Sequence, residues 1–186
     1  MSFNINYLLF FFTSIFSYNL LAHHSFLPLL SAEGEPVIKV FDANVEIYKL
    51  LNPHTAMIVN TYDEGQKIDW LVELSSASTL TREGWTNDFI KPNDRVTIAI
   101  LAFRTENRGR LRALLIHPRT NNDSYQLIVA YGIRGDTPIM KRLESRLPLC
   151  GNINAELERS QCFLVNNNDL DALKRDFPGV MGYIMP

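Results

Sequence analysis

Alternating apolar and polar positions run through residues 37–117 and predict a series of short β-strands. Residues 37–51 mix valine and isoleucine with polar partners in rough alternation, as in a half-buried strand. Segments of similar character follow at residues 55–61, 67–74, 95–103 and 110–117, and a sixth strand is expected at residues 126–131. The chain is therefore predicted to be mainly β.

Turn and helix signals separate these strands. Gly65 follows Asp63 and Glu64 in a tight hairpin signal. Residues 75–84 are typical of a short helix, for which Ser78 is the candidate N-cap and Gly84 the terminator. Three strands, a short helix and then two or three strands is the element order of an OB-type barrel. We therefore predict a small OB-like antiparallel barrel, with a generic antiparallel barrel or sandwich as the alternative.

The pattern loses its period after residue 131, which predicts an irregular C-terminal appendage at residues 132–186. A short helix capped by Asn168 or Asp169 is expected within it. The only two cysteines of the chain, Cys150 and Cys162, also lie there. An even cysteine count in an exported protein predicts a disulfide, and a thiol pair for metal or redox work is the alternative.

The first 22 residues resemble a secretory signal peptide. They have no charged side chain, contain an apolar run from Tyr7 to Phe16, and end at Ala22. Cleavage is expected after Ala22 or after Leu21. An uncleaved membrane anchor is the alternative, although the run is shorter than the roughly 20 residues that span a bilayer.

These boundaries define the predicted organisation of the chain. We expect a signal peptide at residues 1–22, an OB-like domain at residues 23–131 and the appendage at residues 132–186. The protein is then periplasmic or secreted, with no transmembrane span after cleavage of the leader.

Charge and motifs narrow the function classes. The formal net charge of −2 at pH 7 gives no reason to expect a polyanion, and export separates the protein from nucleic acid. The expected partner is a protein or a small ligand of the cell envelope. The sequence contains no nucleophile elbow, P-loop, zincin helix or dinucleotide fingerprint. An enzyme is therefore the least supported class.

Several motifs in a fixed order resemble a family of small exported bacterial proteins known only as a domain of unknown function. Ala-His-His-Ser lies at residues 22–25, Asn-Pro-His at residues 52–54 and Trp-x-x-Glu at residues 70–73. Gly84-Trp85 and Lys-Pro-Asn-Asp at residues 91–94 complete the series. Asn93 replaces the usual glycine, a mild exchange because asparagine tolerates the left-handed conformation. The resemblance covers residues 19–117 and implies export and a small β-domain, with no established activity.

Three histidines in these motifs, His23, His24 and His54, are candidate metal ligands. Cleavage after Ala22 would give His23 a free α-amine, and an amine with an imidazole on one residue suits Cu(II). His54 or His24 would supply a third nitrogen. Cleavage before Ala22 would instead leave an Ala-His-His terminus, which binds Cu(II) or Ni(II) through His24. Copper is therefore the candidate cofactor, and structural or unrelated roles for these histidines are the alternative.

Glu73, Trp85 and Arg110 are the candidate ligand-binding residues. Glu73 is interpreted as a helix cap, a solvated carboxylate or a partner of His54 at a metal. Trp85 closes one end of the barrel or stacks on a ligand. Arg110 belongs to a basic hairpin that is a solvated face or a contact surface between strands four and five. Its other members are Arg104, Arg108 and Arg112.

We therefore expect a non-enzymatic binding module, with copper bound through an N-terminal histidine as the sharpest hypothesis. A metal-free structural or protein-interaction domain of the cell envelope is the alternative. An interaction domain would lose its partner on mutation of Trp85 or Arg110 and would be insensitive to His54→Ala.

Overall fold

The computed structural model describes residues 37–104, 106–121, 123–130, 143–150 and 160–176. Within these residues the chain is mainly β, as predicted. The elements are β1 (Ile38–Lys49), β2 (Ala56–Asp63), β3 (Gln66–Glu73), α1 (Ala77–Arg82), β4 (Arg95–Ala102), β5 (Arg108–Ile116), β6 (Tyr125–Ala130), β7 (Ser160–Val165) and α2 (Asn167–Asp176). Residues 143–146 form a further helical turn.

Five of the strands close into a ring of hydrogen bonds. β1 pairs with β2 and β4, β2 pairs with β3, and β4 pairs with β5, all antiparallel. The ring closes where Leu71–Glu73 of β3 pair in parallel with Arg108–Arg110 of β5. α1 lies between β3 and β4 in the chain. The OB-like element order predicted from the sequence is therefore confirmed.

Three turns have the backbone conformation that their residue types favour. Gly65 in the β2–β3 hairpin has φ of +81°, and Gly84 after α1 has φ of +91°. Asn93 has φ of +69°, in the left-handed region. Glycine and asparagine reach this region with less steric cost than other residues. Asparagine at position 93 is therefore compatible with this turn.

The cap of α1 differs from the sequence prediction. Ser76 is the N-cap, and its hydroxyl oxygen accepts a hydrogen bond from the Thr79 amide at 3.2 Å. Ser78 lies inside the first turn, and its hydroxyl is 2.9 Å from that of Ser76. The prediction of Ser78 as the cap was wrong because neighbouring serines have the same capping chemistry. Backbone hydrogen bonds from Thr55 to Ser75 and from Ala77 to Leu51 hold the residues on either side of Ser76.

The cap of α2 is also displaced from its predicted position. The side-chain oxygen of Asn166 accepts a hydrogen bond from the Asp169 amide at 3.0 Å. The helix therefore begins one residue later, at Asn167, rather than after Asn168 or Asp169.

Two hydrophobic cores lie on opposite faces of β4 and β5. The first fills the ring and includes Ile98 and Ile100 of β4. The second includes Ala99 of β4 and Leu115 of β5, together with side chains from β6, β7, the helical turn and α2. β4 is consequently buried on both faces, which accounts for its continuous apolar sequence from residue 98 to residue 102.

The C-terminal part of the chain extends the sheet. β7 pairs antiparallel with β6, and a disulfide joins Cys150 to Cys162 of β7, as predicted. Backbone bonds from Leu164 to Pro148 and from Cys150 to Cys162 hold residues 148–150 along β7. This contact covers part of an edge that would otherwise expose unpaired backbone groups. No helix among the described residues has the length and apolarity needed to cross a membrane.

Candidate functional site

The parallel pairing of β3 with β5 brings two predicted ligand-binding residues together. Glu73 is in register with Arg110, and Arg110 Nε lies 3.8 Å from Glu73 Oε2. Arg108 donates from Nε to Glu73 Oε1 at 2.9 Å and makes a second contact to the same oxygen through Nη2. The Glu73 side chain is only 10% exposed. Its carboxylate therefore orients the guanidinium of Arg108 through hydrogen bonds and forms a longer ion pair with Arg110 at the junction that closes the ring.

Arg108, Arg110 and Arg112 alternate along β5, and we call them the arginine strip. Arg108 lies 5.1 Å from the centre of the Phe103 ring, and Glu106 lies 3.9 Å from Arg108. Burial, and then the proximity of Arg110, lower the pKa of Arg112. Arg108 and Arg110 thus lie beside carboxylates, and Arg110 and Arg112 are close enough to repel each other.

Trp85 is placed in the hydrophobic core. Its side chain is 1% exposed and contacts Phe89 edge-on, with ring centres 4.9 Å apart. The backbone amide of Trp85 donates to the carbonyl of Leu80 in α1. The residue therefore packs α1 and the following loop onto the ring. This is a structural role, the first of the two alternatives predicted for Trp85 from the sequence.

His54 lies just before β2 and is half-buried. The neighbouring Thr55 exchanges backbone hydrogen bonds with Leu74 and Ser75, so His54 lies near the end of β3. Glu73, the candidate partner of His54 at a metal, makes contacts with Arg108 and Arg110 through its carboxylate. Within the described residues, no three histidine, cysteine, aspartate or glutamate side chains group to hold a metal ion. His23, His24 and the signal peptide lie outside the described residues, so the copper site stays a prediction.

An open cleft of about 470 Å³ lies at the C-terminal end of β5. Its lining residues are Arg95, His117, Pro118, Arg119, Thr120, Asn121, Tyr125 and Asn167. His117 follows Arg110 by seven positions, or roughly 20 Å of extended chain, so the cleft is separate from the arginine strip. Sequence reasoning missed this site. The available signal was the run of polar residues that begins at His117, directly after a buried strand.

A chain of hydrogen bonds orients His117 at the cleft. Thr97 Oγ1 donates to Asp42 Oδ1 at 2.5 Å, and His117 Nε2 lies 2.8 Å from the same hydroxyl oxygen. Because the single hydroxyl proton goes to the carboxylate, Nε2 must be the donor to Thr97. The neutral imidazole then carries its acceptor lone pair on Nδ1. Burial lowers the pKa of His117, Arg95 lowers it further and Asp42 opposes the shift, so the ring is neutral at pH 7.

Asp94 anchors Arg119 at the same cleft. Arg119 donates from Nε and Nη2 to the two carboxylate oxygens of Asp94, each at 2.6 Å. Asp94 Oδ2 also accepts from the backbone amide of Lys91 at 2.8 Å. The hydrogen bonds from Arg119 to Asp94, together with the negative charge of that carboxylate, raise the pKa of Arg119. Asp94, the last residue of the Lys-Pro-Asn-Asp motif, therefore closes the turn that begins at Lys91 and also positions the guanidinium of Arg119.

Comparison with known proteins identifies the family of this chain. Residues 13–112 match the model of DUF6152, described as a family of unknown function. The chain belongs to this family. No match was found among curated proteins or among solved structures. The resemblance predicted from the sequence motifs is thus confirmed as membership of an unknown-function family.

The DUF6152 match covers the first four strands of the ring, the start of β5 and the arginine strip. It includes Glu73, Trp85 and Arg110, and it ends within β5 at residue 112. Of the residues that line the cleft, Arg95 lies within the match, and the rest follow it in the chain. The strip is therefore part of the matched segment, whereas most of the cleft is contributed by the segment beyond it.

Proposed function

We propose that this DUF6152 protein is an exported, non-enzymatic binding module that binds an acidic protein segment of the cell envelope through its arginine strip. The observation that carries this proposal is the buried carboxylate of Glu73, which hydrogen-bonds Arg108 and lies within ion-pair distance of Arg110. A guanidinium held in one orientation loses less conformational freedom on binding and can donate two hydrogen bonds to a carboxylate.

The charge distribution supports an acidic partner at this strip. The side chains of Arg108 and Arg110 are 39% and 30% exposed, so both are accessible to a partner. The chain as a whole has a net charge of −2, whereas the arginine strip sets three cations against the two carboxylates of Glu73 and Glu106. An acidic segment would therefore be steered toward the strip and away from the other faces.

Two features support export. The uncharged leader at residues 1–22 has the pattern of a secretory signal. The disulfide between Cys150 and Cys162 is of the kind that persists in oxidising compartments. A periplasmic or secreted location follows from these features as part of the proposal.

Titration of the exported protein with a fluorescent hexaglutamate peptide tests the strip. Arg110→Gln should weaken binding about tenfold, as expected for loss of one hydrogen bond between charged groups. Glu73 keeps its contacts with Arg108 in this variant, so the junction between β3 and β5 is retained. Binding should also weaken as the salt concentration rises.

Arg82→Gln is the matched control, because Arg82 is an exposed arginine in the last turn of α1. A hexaserine peptide controls for binding without charge. Equal losses in Arg110→Gln and Arg82→Gln, or equal affinity for the two peptides, would contradict recognition by the strip.

Copper binding through His23 and His54 is the second candidate function. It is favoured by the predicted cleavage after Ala22, which would place an α-amine on His23, and by the partial exposure of His54. The test is intact mass and N-terminal sequencing of the exported protein, followed by Cu(II) titration of the same material. His117→Gln serves as a control because His117 lies outside the proposed ligand set.

The outcomes of this titration separate the hypotheses. A terminus at His23 with tight 1:1 binding, lost in His54→Ala and kept in His117→Gln, would support the copper site. Binding to an Ala22 terminus that is independent of His54 would indicate an incidental terminal chelate. An uncleaved leader or no tight binding would exclude copper and leave the metal-free interaction domain.

A further inference from the structure

The cations that line the cleft at the end of β5 are already paired. Arg95 Nη2 lies 3.2 Å from Asp42 Oδ2, and Arg119 makes its two contacts with Asp94. The imidazole of His117 is neutral at pH 7. Asp123, whose carboxylate accepts from the Thr120 amide, adds a negative charge near Arg119. An anionic ligand would therefore find no uncompensated positive charge among the described lining residues.

The lining is nevertheless rich in hydrogen-bonding groups. A guanidinium has five N–H donors, and the described contacts of Arg119 use only Nε and Nη2. Asn121 and Asn167 add carboxamides, each with donors and an acceptor. Thr120 and Tyr125 contribute hydroxyls, which both donate and accept. The cleft thus offers donors and acceptors in mixture, without a net charge to attract an ion.

An aromatic ring forms one wall of this cleft. Tyr125 packs against His117 with ring centres 5.2 Å apart and planes inclined at 57°. The Asp42–Thr97–His117 hydrogen bonds hold the imidazole in place, and the imidazole in turn limits the positions open to Tyr125. The wall is therefore a preorganised apolar surface beside polar groups, and such surfaces suit ligands with one apolar and one polar side.

We propose that this cleft binds a neutral sugar. The hydroxyls of a sugar ring donate and accept hydrogen bonds, which matches the mixture of amide, guanidinium and hydroxyl groups. The C–H face of the ring would pack on Tyr125. The cavity volume of about 470 Å³ is within the range of about 300–1,000 Å³ for small-molecule sites. This site is independent of the arginine strip, from which it is roughly 20 Å away along the strand.

Nuclear magnetic resonance titration of the exported, ¹⁵N-labelled protein tests the proposal. The probes are glucose, galactose, mannose and N-acetylglucosamine at millimolar concentrations, with acetate and citrate as anionic probes. At least one sugar should shift the amide resonances of His117, Asn121 and Tyr125. Tyr125→Leu and Asn167→Ala should each weaken that sugar about tenfold, as expected for loss of an aromatic contact or a hydrogen bond.

Each variant has a matched control outside the lining. Tyr62→Leu alters a tyrosine that is 65% exposed in the β2–β3 hairpin, and Asn168→Ala alters the neighbour of Asn167 on α2. Both controls should bind the sugar like the unmodified protein. Asn167→Ala removes a side chain from the exposed end of a helix, so it keeps the test valid if Tyr125→Leu fails to fold.

Three results would overturn the proposal. The first is that acetate or citrate binds more tightly than any sugar. The second is that Tyr125→Leu and Asn167→Ala leave sugar binding unchanged. The third is that no sugar probe shifts any resonance. The first would assign the cleft to anions, and the second would place the sugar elsewhere on the molecule.

Discussion

Two carboxylates determine where the important cations of this protein lie. Glu73 hydrogen-bonds Arg108 and forms a longer ion pair with Arg110 on the strip, and Asp94 holds Arg119 at the cleft. Both carboxylates are largely buried, and a buried carboxylate is costly unless a cation or several donors satisfy it. Their arginine partners are correspondingly restricted in orientation, which prepares these guanidinium groups for recognition.

His117 should make the folded protein less stable as the pH falls below its ordinary pKa of 6.5. Because the folded-state pKa is lowered, the unfolded chain binds more protons between the two values. The stabilisation is therefore complete above pH 6.5 and is lost as the pH falls through the folded-state pKa. Urea unfolding across this interval measures the effect, and His117→Gln should flatten the dependence.

Asp42 and Arg95, the charged groups near His117, do not reverse the expected loss of stability below pH 6.5. Burial raises the pKa of Asp42, but the hydrogen bonds that it accepts from Thr97 and Arg95 outweigh burial, and the pKa is lowered from 3.8. The contribution of Asp42 is therefore lost only below pH 3.8, in a separate interval. An unchanged pH dependence in the His117→Gln variant would show that other groups control stability near pH 6.

At the scale of elements, local signals and strand pairing contributed differently to the prediction. The five strands of the ring and α1 were predicted from alternation and turn residues because these are properties of neighbouring positions. β7 was missed, since its six residues become a strand through pairing with β6. The apolar run in β4 was recognised as a strand, but the second covered face that explains it depends on β6, β7 and α2.

Substitution of the α1 cap provides a test at this scale. Ser76→Ala should lower the free energy of unfolding by about 1 kcal/mol, because it removes the acceptor for the Thr79 amide. Ser78→Ala is the matched control and should change it by less than about 0.5 kcal/mol. Chemical denaturation measures both. A larger loss of stability in Ser78→Ala than in Ser76→Ala would indicate that Ser78 is the N-cap, as the sequence predicted.

At the scale of the whole molecule, the second core unites the ring with the C-terminal segment. Ala99 and Leu115 of the ring pack with Leu127 of β6, Phe163 of β7 and Leu173 of α2. The disulfide between Cys150 and Cys162 joins residues 148–150 to β7, and both cysteines pack in the first core, which fills the ring. The stability of the C-terminal segment should therefore be linked to that of the ring.

Removal of the disulfide tests this linkage. The Cys150→Ser, Cys162→Ser double variant should lose about 3 kcal/mol of stability, because the crosslink restricts the unfolded chain. Urea unfolding monitored at Trp70 and Trp85, both within the ring core, reports the change. Reducing agent should produce a comparable loss in the unmodified protein and none in the variant. A ring transition that is insensitive to both treatments would contradict the linkage.

The sequence by itself determined the class of fold, the OB-like element order, the disulfide pairing and the family. These depend on local alternation, on turn residues such as Gly65 and Asn93, and on motif order. It also drew attention to Glu73 and Arg110 separately. Only the tertiary structure decided that they meet, that Asp94 anchors Arg119, and that His117 and Tyr125 share a cleft. Such contacts depend on the register between strands distant in sequence, and local patterns do not specify that register.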